Sequence, residues 1–415
     1  MATDKILRRI GIVDKTSANW SAGASYTRML AHSLAAACRE AGVELFLFSQ
    51  NESLDKRLAE LPIRAVTLKP ADDLPGERGL RRRLGLGDKA GALRGETRLR
   101  HLLGLRGASD VFLSARARGV STLLPLLDVP AWPTPVKTIG WIPDFQHVYL
   151  PEFFSDAERR RRDVVFKRLA ERASLVMLSS RAALEHFTAF APGHARKARV
   201  SSFPSLFAFE PLSREPVSTP RRFNLPAKFA LVANQFWGHK NHLAVVESVA
   251  RLQREGIRIP VVMTGLPLDH RVAHNQTVSV LLQSIAEAGL AGQVIVLGQV
   301  AYPDLVNLMR VAALVIQPSR FEGWSTVVED AKALGRPLLC SDLPVHREQA
   351  PRALGFFPCD GADRLAKLLA ASWPRLEPGP DERAEERALD LERKFARRHG
   401  RALLEICREA NSARG

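Results

Sequence analysis

The chain has 415 residues, of which 46% are hydrophobic and 25% charged, and a formal net charge of +16. That length exceeds what one hydrophobic core organises, so two domains are expected, and no apolar run approaches the ~20 residues that cross a bilayer. Four scattered cysteines (Cys38, Cys340, Cys359, Cys407) lack CxxC or Cys/His spacing, which argues against a zinc site and for reduced thiols. The opening Met1–Lys5 lacks the charged-then-apolar layout of an export signal, and Ile10–Val13 is too short for its apolar part, so a cytoplasmic protein is expected.

Arg9–Asp14 reads as a buried strand, Asn19–Ser25 as a small-residue loop, and the periodic Met29, Leu30, Leu34 and Ala37 as a helix ending near Gly42. Val43–Ser49 is the next strand. The chain thus opens with a βαβ unit, though without the G-x-G-x-x-G of a dinucleotide site. Leu61–Leu68 reads as a further strand. Arg78–Arg118 holds ten Arg and Lys89 against three acids, with leucines interleaved. That pattern suits either an amphipathic surface for anionic lipid or a solvated helix whose arginine stems cover the core. Gly85, Gly87, Gly91 and Gly95 weaken a continuous helix there. No aromatic stacking pattern accompanies the charge, so nucleic acid is not an expected partner. The excess is concentrated early: 33 Lys and Arg against 22 Asp and Glu through residue 210, a net +11.

Asp110–Ser114 reads as a strand. Val136–Ile142 is another, running into Pro143-Asp144-Phe145-Gln146-His147, so polar groups stand at the carboxyl edge of a parallel sheet, where open α/β folds bind ligands. Leu175–Ser179 is a strand, Ser180 a helix cap and Arg181–Phe187 its helix. A Pro- and Ser-rich stretch, Leu212–Pro220, marks the domain linker. The strand–helix rhythm then restarts. Phe229–Ala233 is a strand, and Lys240 stands at the junction with the helix Leu243–Glu255, well placed to neutralise a phosphate. Pro260–Gly265 and Val294–Gly298 are strands, Asn275–Ala288 and Pro303–Val311 helices. Ala313–Ile316, a glycine-containing loop through Gly323, a helix from Ser325 to Gly335 and the strand Leu338–Cys340 form another βαβ unit. The amides of Gly323–Thr326 open that helix and suit an anion, flanked by Glu322 and Asp330, whose carboxylates suit sugar hydroxyls. Gly361–Trp373 is a helix, and Asp381–Asn411 a charged helical tail.

Pro318, Ser319, Glu322, Gly323, Asp330, Ala331, Ala333 and Gly335, followed by Ser341–Glu348 (SDLPVHRE), resemble the donor half of family-four retaining glycosyltransferases. W-I-P-D-F-Q-H with L-P-E-F-F (141–154) resembles a block in one branch of that family, of mannosyl/rhamnosyl, bacterial envelope type. The resemblance covers most of residues 136–350. It implies the GT-B fold: α/β, two Rossmann-like domains with a cleft between them and a C-terminal helix crossing back. It implies that Glu322 and the Ser319–Thr326 loop, with Trp324 and Ser325, hold the donor sugar and phosphates, and that Asp330 binds the ribose. Asp330 stands where the family has Glu. Lys240 matches the family's pyrophosphate lysine, and Gln235 stands where the family has Arg. Gly23 maps to the loop near the donor phosphates, Gly298–Tyr302 to the base-packing segment, and Asp144 and His147 to the cleft facing sugar and acceptor.

The expectation is a retaining hexosyltransferase using a nucleotide-diphosphate sugar and needing no metal or other cofactor. The expected acceptor is a glycan or lipid-linked envelope precursor, reached from the cytoplasmic face of the membrane. The expected domains are 1–210 for the acceptor, 211–380 for the donor and 381–415 as a tail on both. The alternatives are a non-catalytic nucleotide-sugar-binding module, favoured by Gln235 and Asp330, and an epimerase-type enzyme on the same scaffold.

Overall fold

The computed structural model describes residues 7–14, 21–49, 58, 60–68, 108–210, 212, 218–267 and 277–412. Most of the basic tract, 78–107, lies outside the described residues. Among the described residues thirteen strands run in chain order: β1 Arg9–Val13, β2 Glu44–Ser49, β3 Ile63–Thr67, β4 Thr122–Leu126, β5 Lys137–Ile142, β6 Leu175–Leu178, β7 Ala198–Val200, β8 Ala230–Ala233, β9 Val261–Thr264, β10 Val294–Gly298, β11 Leu314–Gln317, β12 Leu338–Ser341 and β13 Gly355–Phe357. The α-helices among the described residues are α1 Ser21–Ala41, α2 Ala108–Ala117, α3 Gln146–Tyr149, α4 Asp156–Arg172, α5 Arg181–Phe190, α6 Ser218–Arg222, α7 His242–Arg254, α8 Thr277–Glu287, α9 Tyr302–Val311, α10 Thr326–Ala333, α11 Pro344–Gln349, α12 Ala362–Ser372 and α13 Glu382–Ser412.

The strands form two parallel sheets. The first has the order β3-β2-β1-β4-β5-β6-β7, the second β10-β9-β8-β11-β12-β13. Both are doubly wound, and strand order reverses beside β1 in one and beside β8 in the other. Central strands carry continuous apolar runs because helices cover both faces. Alternate residues take opposite sides. In β1 and β2, Ile10, Ile12, Leu45 and Leu47 meet α1, while Val13, Phe46 and Phe48 meet α2 with Val111 and Phe112. In the second sheet, Val232, Met263 and Ile316 pack with α7, whereas Leu231, Val262 and Val315 pack with α9 and α10.

Two local readings change, and one strand is added. Asp110–Ser114 is helical, part of α2; Val111, Phe112 and Ala115 are buried at i, i+1 and i+4, the spacing of a helix face. Thr122–Leu126 is a strand that its proline concealed. The β4–β5 register shifts between Leu123 and Leu126, and that irregularity accommodates Pro125 inside a sheet. Gly23 and Ser25 belong to the first turns of α1, not to a loop.

The tail helix α13 binds both halves. It packs along α1 and touches β4, β5 and α10. Leu403, Leu404, Cys407 and Ala410 enter the core beneath β1 and α1. Gly400 permits the crossing, since a Cβ there would stand 2.1 Å from the Ser33 carbonyl oxygen. At its start, Glu385 accepts two hydrogen bonds from Arg310 on α9, at 2.9 and 2.8 Å, and both side chains are buried.

Candidate active site

In the second sheet, β8 and β11 are neighbours at the switch point. The segment after β8 carries Lys240, and the segment after β11 carries Glu322, so the topology delivers both to one carboxyl edge. Lys240 Nζ donates to Glu322 Oε1 at 2.6 Å, with the side chains 15% and 9% exposed. Burial alone would raise the Glu322 carboxyl. Lys240, His346 and further hydrogen bonds from Lys240 and Ser319 outweigh it and hold the group below its ordinary value.

Gln317, the last residue of β11, is fully buried. Its Nε2 donates to Glu322 Oε1 at 2.9 Å and to Ser319 Oγ at 3.0 Å, and its Oε1 accepts from Asn234 Nδ2 at 2.9 Å. Asn241, at φ 57°, donates to the carbonyls of Pro318 and Cys359. Its Oδ1 accepts from Arg320 Nε at 3.3 Å. The two loops are thus stitched together beneath the Lys240–Glu322 pair. Gln235 lies in the same post-β8 segment, its Oε1 buried without a hydrogen-bond partner among the described residues.

Ser325 caps α10, accepting from Val328 N, and Gln349 brackets it: Ser325 N donates to Gln349 Oε1 at 3.1 Å, and Gln349 Nε2 donates to Ser325 O at 2.6 Å. Thr326 is the first helical residue. Gly323 lies against the first domain, because a Cβ there would sit 2.0 Å from the Pro143 carbonyl oxygen and 3.1 Å from Asp144 Cβ. Asp144 therefore meets the start of α10 from across the cleft. Its Oδ1 accepts from Gln146 N at 2.9 Å, with Arg162 Nη1 at 3.9 Å. Trp324 Nε1 donates to the Phe203 carbonyl at 3.0 Å, so its ring anchors the loop to the first domain.

Other contacts hold the domains together. Phe321 stacks with Tyr149 and His186 at centroid separations of 5.8 and 5.5 Å. Glu348 accepts from Arg181 N at 2.9 Å and so caps α5 from the opposite domain.

His147 is not brought into this group. Its ring is buried among Phe154, Phe166 and Phe190, and its Nε2 pairs with Asp163 at 3.2 Å. Burial first, then Arg162, holds its pKa below the ordinary value despite Asp163. Gly23 is a buried residue in the first turn of α1, whose carbonyl accepts from Thr27 Oγ1. Gly298 ends β10 at φ 68°, its carbonyl accepting from Thr264 Oγ1 and Gly265 N. Tyr302 opens α9 and is 43% exposed. Asp330 accepts from Ser205 Oγ at 2.6 Å, while its neighbour Glu329 is buried and pairs with Lys332 at 2.8 Å. Gln317, Asn234, Ser205 and Gln349 were given no role from the sequence, and Glu348 was noted only as the end of the Ser341–Glu348 stretch. A buried strand-end glutamine was the one available signal, and its partners are 83 and 5 residues away.

Residues 214–370 match a family model described as glycosyl transferases group 1. The matched segment contains Gln235, Lys240, Gly298, Tyr302 and the whole Ser319–Asp330 stretch. Solved structures match along nearly the full chain. A glycosyltransferase from Rickettsia africae is 14% identical, covers 97% of this chain and 98% of its own, and gives a TM-score of 0.63. Anabaena Alr3699/HepE in complex with UDP is 15% identical over 96% and 98%, with a TM-score of 0.59. Sucrose-phosphate synthase from Thermosynechococcus elongatus is 15% identical over 96% of each chain, with a TM-score of 0.62. No curated protein matches significantly. The two halves together therefore make the GT-B fold: two parallel-sheet Rossmann-like units and a C-terminal helix. No helix among the described residues is long and apolar enough to cross a membrane.

Proposed function

We propose that the chain is a retaining glycosyltransferase that moves a hexose from a nucleotide-diphosphate sugar to a hydroxyl of a glycan or lipid-linked precursor. The observation that carries this reading is the buried Lys240–Glu322 pair at the switch point of the second sheet, near the start of α10. Structures similar to this one are described in complex with UDP and with UDP-glucose.

The diphosphate of the donor meets Lys240 and the Gly323–Thr326 segment, where the helix dipole and the amides of Gly323, Trp324 and Thr326 favour an anion, Ser325 N being held by Gln349. Charge builds on that diphosphate as the glycosidic bond breaks, and these donors are already in place for it. Glu322 orients the sugar hydroxyls, Asp330 accepts from the ribose, and Gly298–Tyr302 packs on the base. Gln235 supplies an amide where a second cation would otherwise stand, so more of the charge rests on Lys240. The acceptor enters from the Asp144 side, and its hydroxyl oxygen bonds to the anomeric carbon on the face the diphosphate leaves, its proton passing to the departing diphosphate, which retains the configuration. The reaction needs no metal in this reading. Residues 1–210 serve the acceptor, 211–380 the donor, and the tail from 381 joins them. The excess positive charge before residue 210 suits an anionic cytoplasmic membrane surface carrying a bacterial envelope precursor.

The test is a nucleotide-sugar panel with wild type and Lys240→Ala, the product anomer being read by NMR. Transfer lost in Lys240→Ala supports the reading, and an inverted anomer overturns retention. Gln235 favours a second reading, a binding module, for which nucleotide-sugar binding without turnover is the signature. Nucleoside diphosphate release without any glycoside would instead indicate an epimerase-type or hydrolytic enzyme.

A further inference from the structure

Ser205 stands where the chain leaves the first sheet, just after β7, and it is buried. Its Oγ accepts from Phe207 N at 3.1 Å, which opens a short 3-10 turn, and its backbone N donates to Glu392 Oε1 at 2.6 Å. The hydroxyl hydrogen is left to Asp330, whose Oδ1 lies at 2.6 Å. One serine therefore ties the first domain's exit segment to α10 and to the tail helix α13. Asp330 rides on the same helix whose first turn presents Gly323–Thr326, so its orientation is fixed relative to that anion site.

We propose that Ser205 is a positioning residue for the donor nucleotide: its hydroxyl fixes Asp330 through Oδ1, so that the other carboxylate oxygen accepts from the ribose hydroxyls. The proposal rests on the reading above, in which Asp330 meets the ribose. Asp330 feels the charge of Glu329 on α10, and its own charge reaches Glu392 on α13 and Tyr302 on α9; Lys332 pairs with Glu329, and Arg28 on α1 acts on Tyr302. Burial pushes Asp330 up to about 7, the Ser205 hydrogen bond opposes that rise and the Glu329 charge adds to it. The serine thus keeps the carboxylate an acceptor near neutral pH, since an ionised carboxyl accepts at both oxygens. Losing a hydrogen bond to the charged form raises the pKa further. An alanine at this position therefore harms binding most where Asp330 is already partly protonated.

The experiment titrates UDP, GDP and ADP calorimetrically into full-length wild type, Ser205→Ala and Ser205→Thr between pH 6 and 9.5. The tightest ligand is then repeated as its 2′,3′-dideoxy form. For wild type, affinity falls as pH drops through the Asp330 pKa. In Ser205→Ala that limb moves up by about one pH unit, so binding is roughly tenfold weaker near pH 6 and equal to wild type near pH 9.5. Ser205→Thr, which keeps the hydroxyl, restores the wild-type profile, and the dideoxy nucleotide removes the difference between variants. Ser205→Cys, a weaker donor of similar size, gives an intermediate limb and replaces the alanine variant if that one fails to fold. Superimposed wild-type and Ser205→Ala profiles, or a constant offset at every pH, overturn the positioning role while leaving the donor reading intact. If none of the diphosphates binds wild type, the donor reading itself fails, and the role of Ser205 with it.

Discussion

Replacing Lys240 by alanine separates two effects that this side chain combines. The Lys240–Glu322 contact of 2.6 Å corresponds to roughly 6 kcal/mol of attraction at an effective dielectric constant of ~20, before desolvation is subtracted. With both groups largely buried, truncating one leaves the other charge unpaired, at a cost of about 3–5 kcal/mol in stability. The loss has a pH signature. In wild type the Glu322 pKa is depressed, so its stabilisation is complete above the unfolded carboxyl value of ~4.3 and fades as pH falls through the folded value. Without Lys240, burial raises that pKa instead, and the deficit measured by denaturant titration is larger at pH 7 than at pH 5. Adding Glu322→Gln to Lys240→Met removes the orphan charge and recovers most of the stability. Transfer does not recover, because one diphosphate donor is still missing, which costs about 10²–10³ in rate. A double variant that is stable and active refutes the assignment of Lys240 to the leaving group. A Lys240→Ala protein as stable as wild type at pH 7 refutes the buried pair.

Gly323→Ala forces a Cβ onto the Pro143 carbonyl. Chemical denaturation should register an overpacking cost of about 1–3 kcal/mol, and the transfer rate should drop by about 10²-fold as α10 is displaced. Glu348→Ala removes the cap that the second domain places on α5. About 1 kcal/mol of closure is lost, and donor KM rises about fivefold in steady-state kinetics, with a larger radius of gyration in solution scattering. Glu385→Ala strands Arg310 among buried groups and lowers unfolding free energy by about 3–5 kcal/mol, whereas replacing both by leucine restores most of it.

The sequence announced the second domain more fully than the first. Lys240, Glu322 and the start of α10 are set by strand–loop–helix junctions, which leave local marks in apolar periodicity and in Pro, Ser and Gly. Lys240 and Glu322 meet because their strands, β8 and β11, are sheet neighbours, which follows from winding order. Local marks fail where the deciding contact is distant. Val111 and Phe112 fit a strand or a helix equally, and only packing under β2 selects the helix. Thr122–Leu126 drew no reading, since a proline is unusual in a central strand, and the sheet accommodates Pro125 by a shift in register. His147 carried the right chemistry for a cleft, but three phenylalanines and Asp163 hold it inside the first domain. Ser205 gave no sign at all, because its partners Asp330 and Glu392 lie 125 and 187 residues further on.

The long helix that closes the sequence has a bearing on biosynthesis. Side chains near residues 403–410 fill space between β1, β5 and α1, although the last strand of that sheet ends at Val200. At a ribosomal pace of about 5–20 residues per second, the amino-terminal unit waits some ten to forty seconds for the piece that seals it. During that interval the face of α1 that carries Ser33 and Ala37, which the tail crosses at His399 and Gly400, stays uncovered, a natural landing place for a holding chaperone, and a chain that stopped short of residue 400 would leave it open permanently.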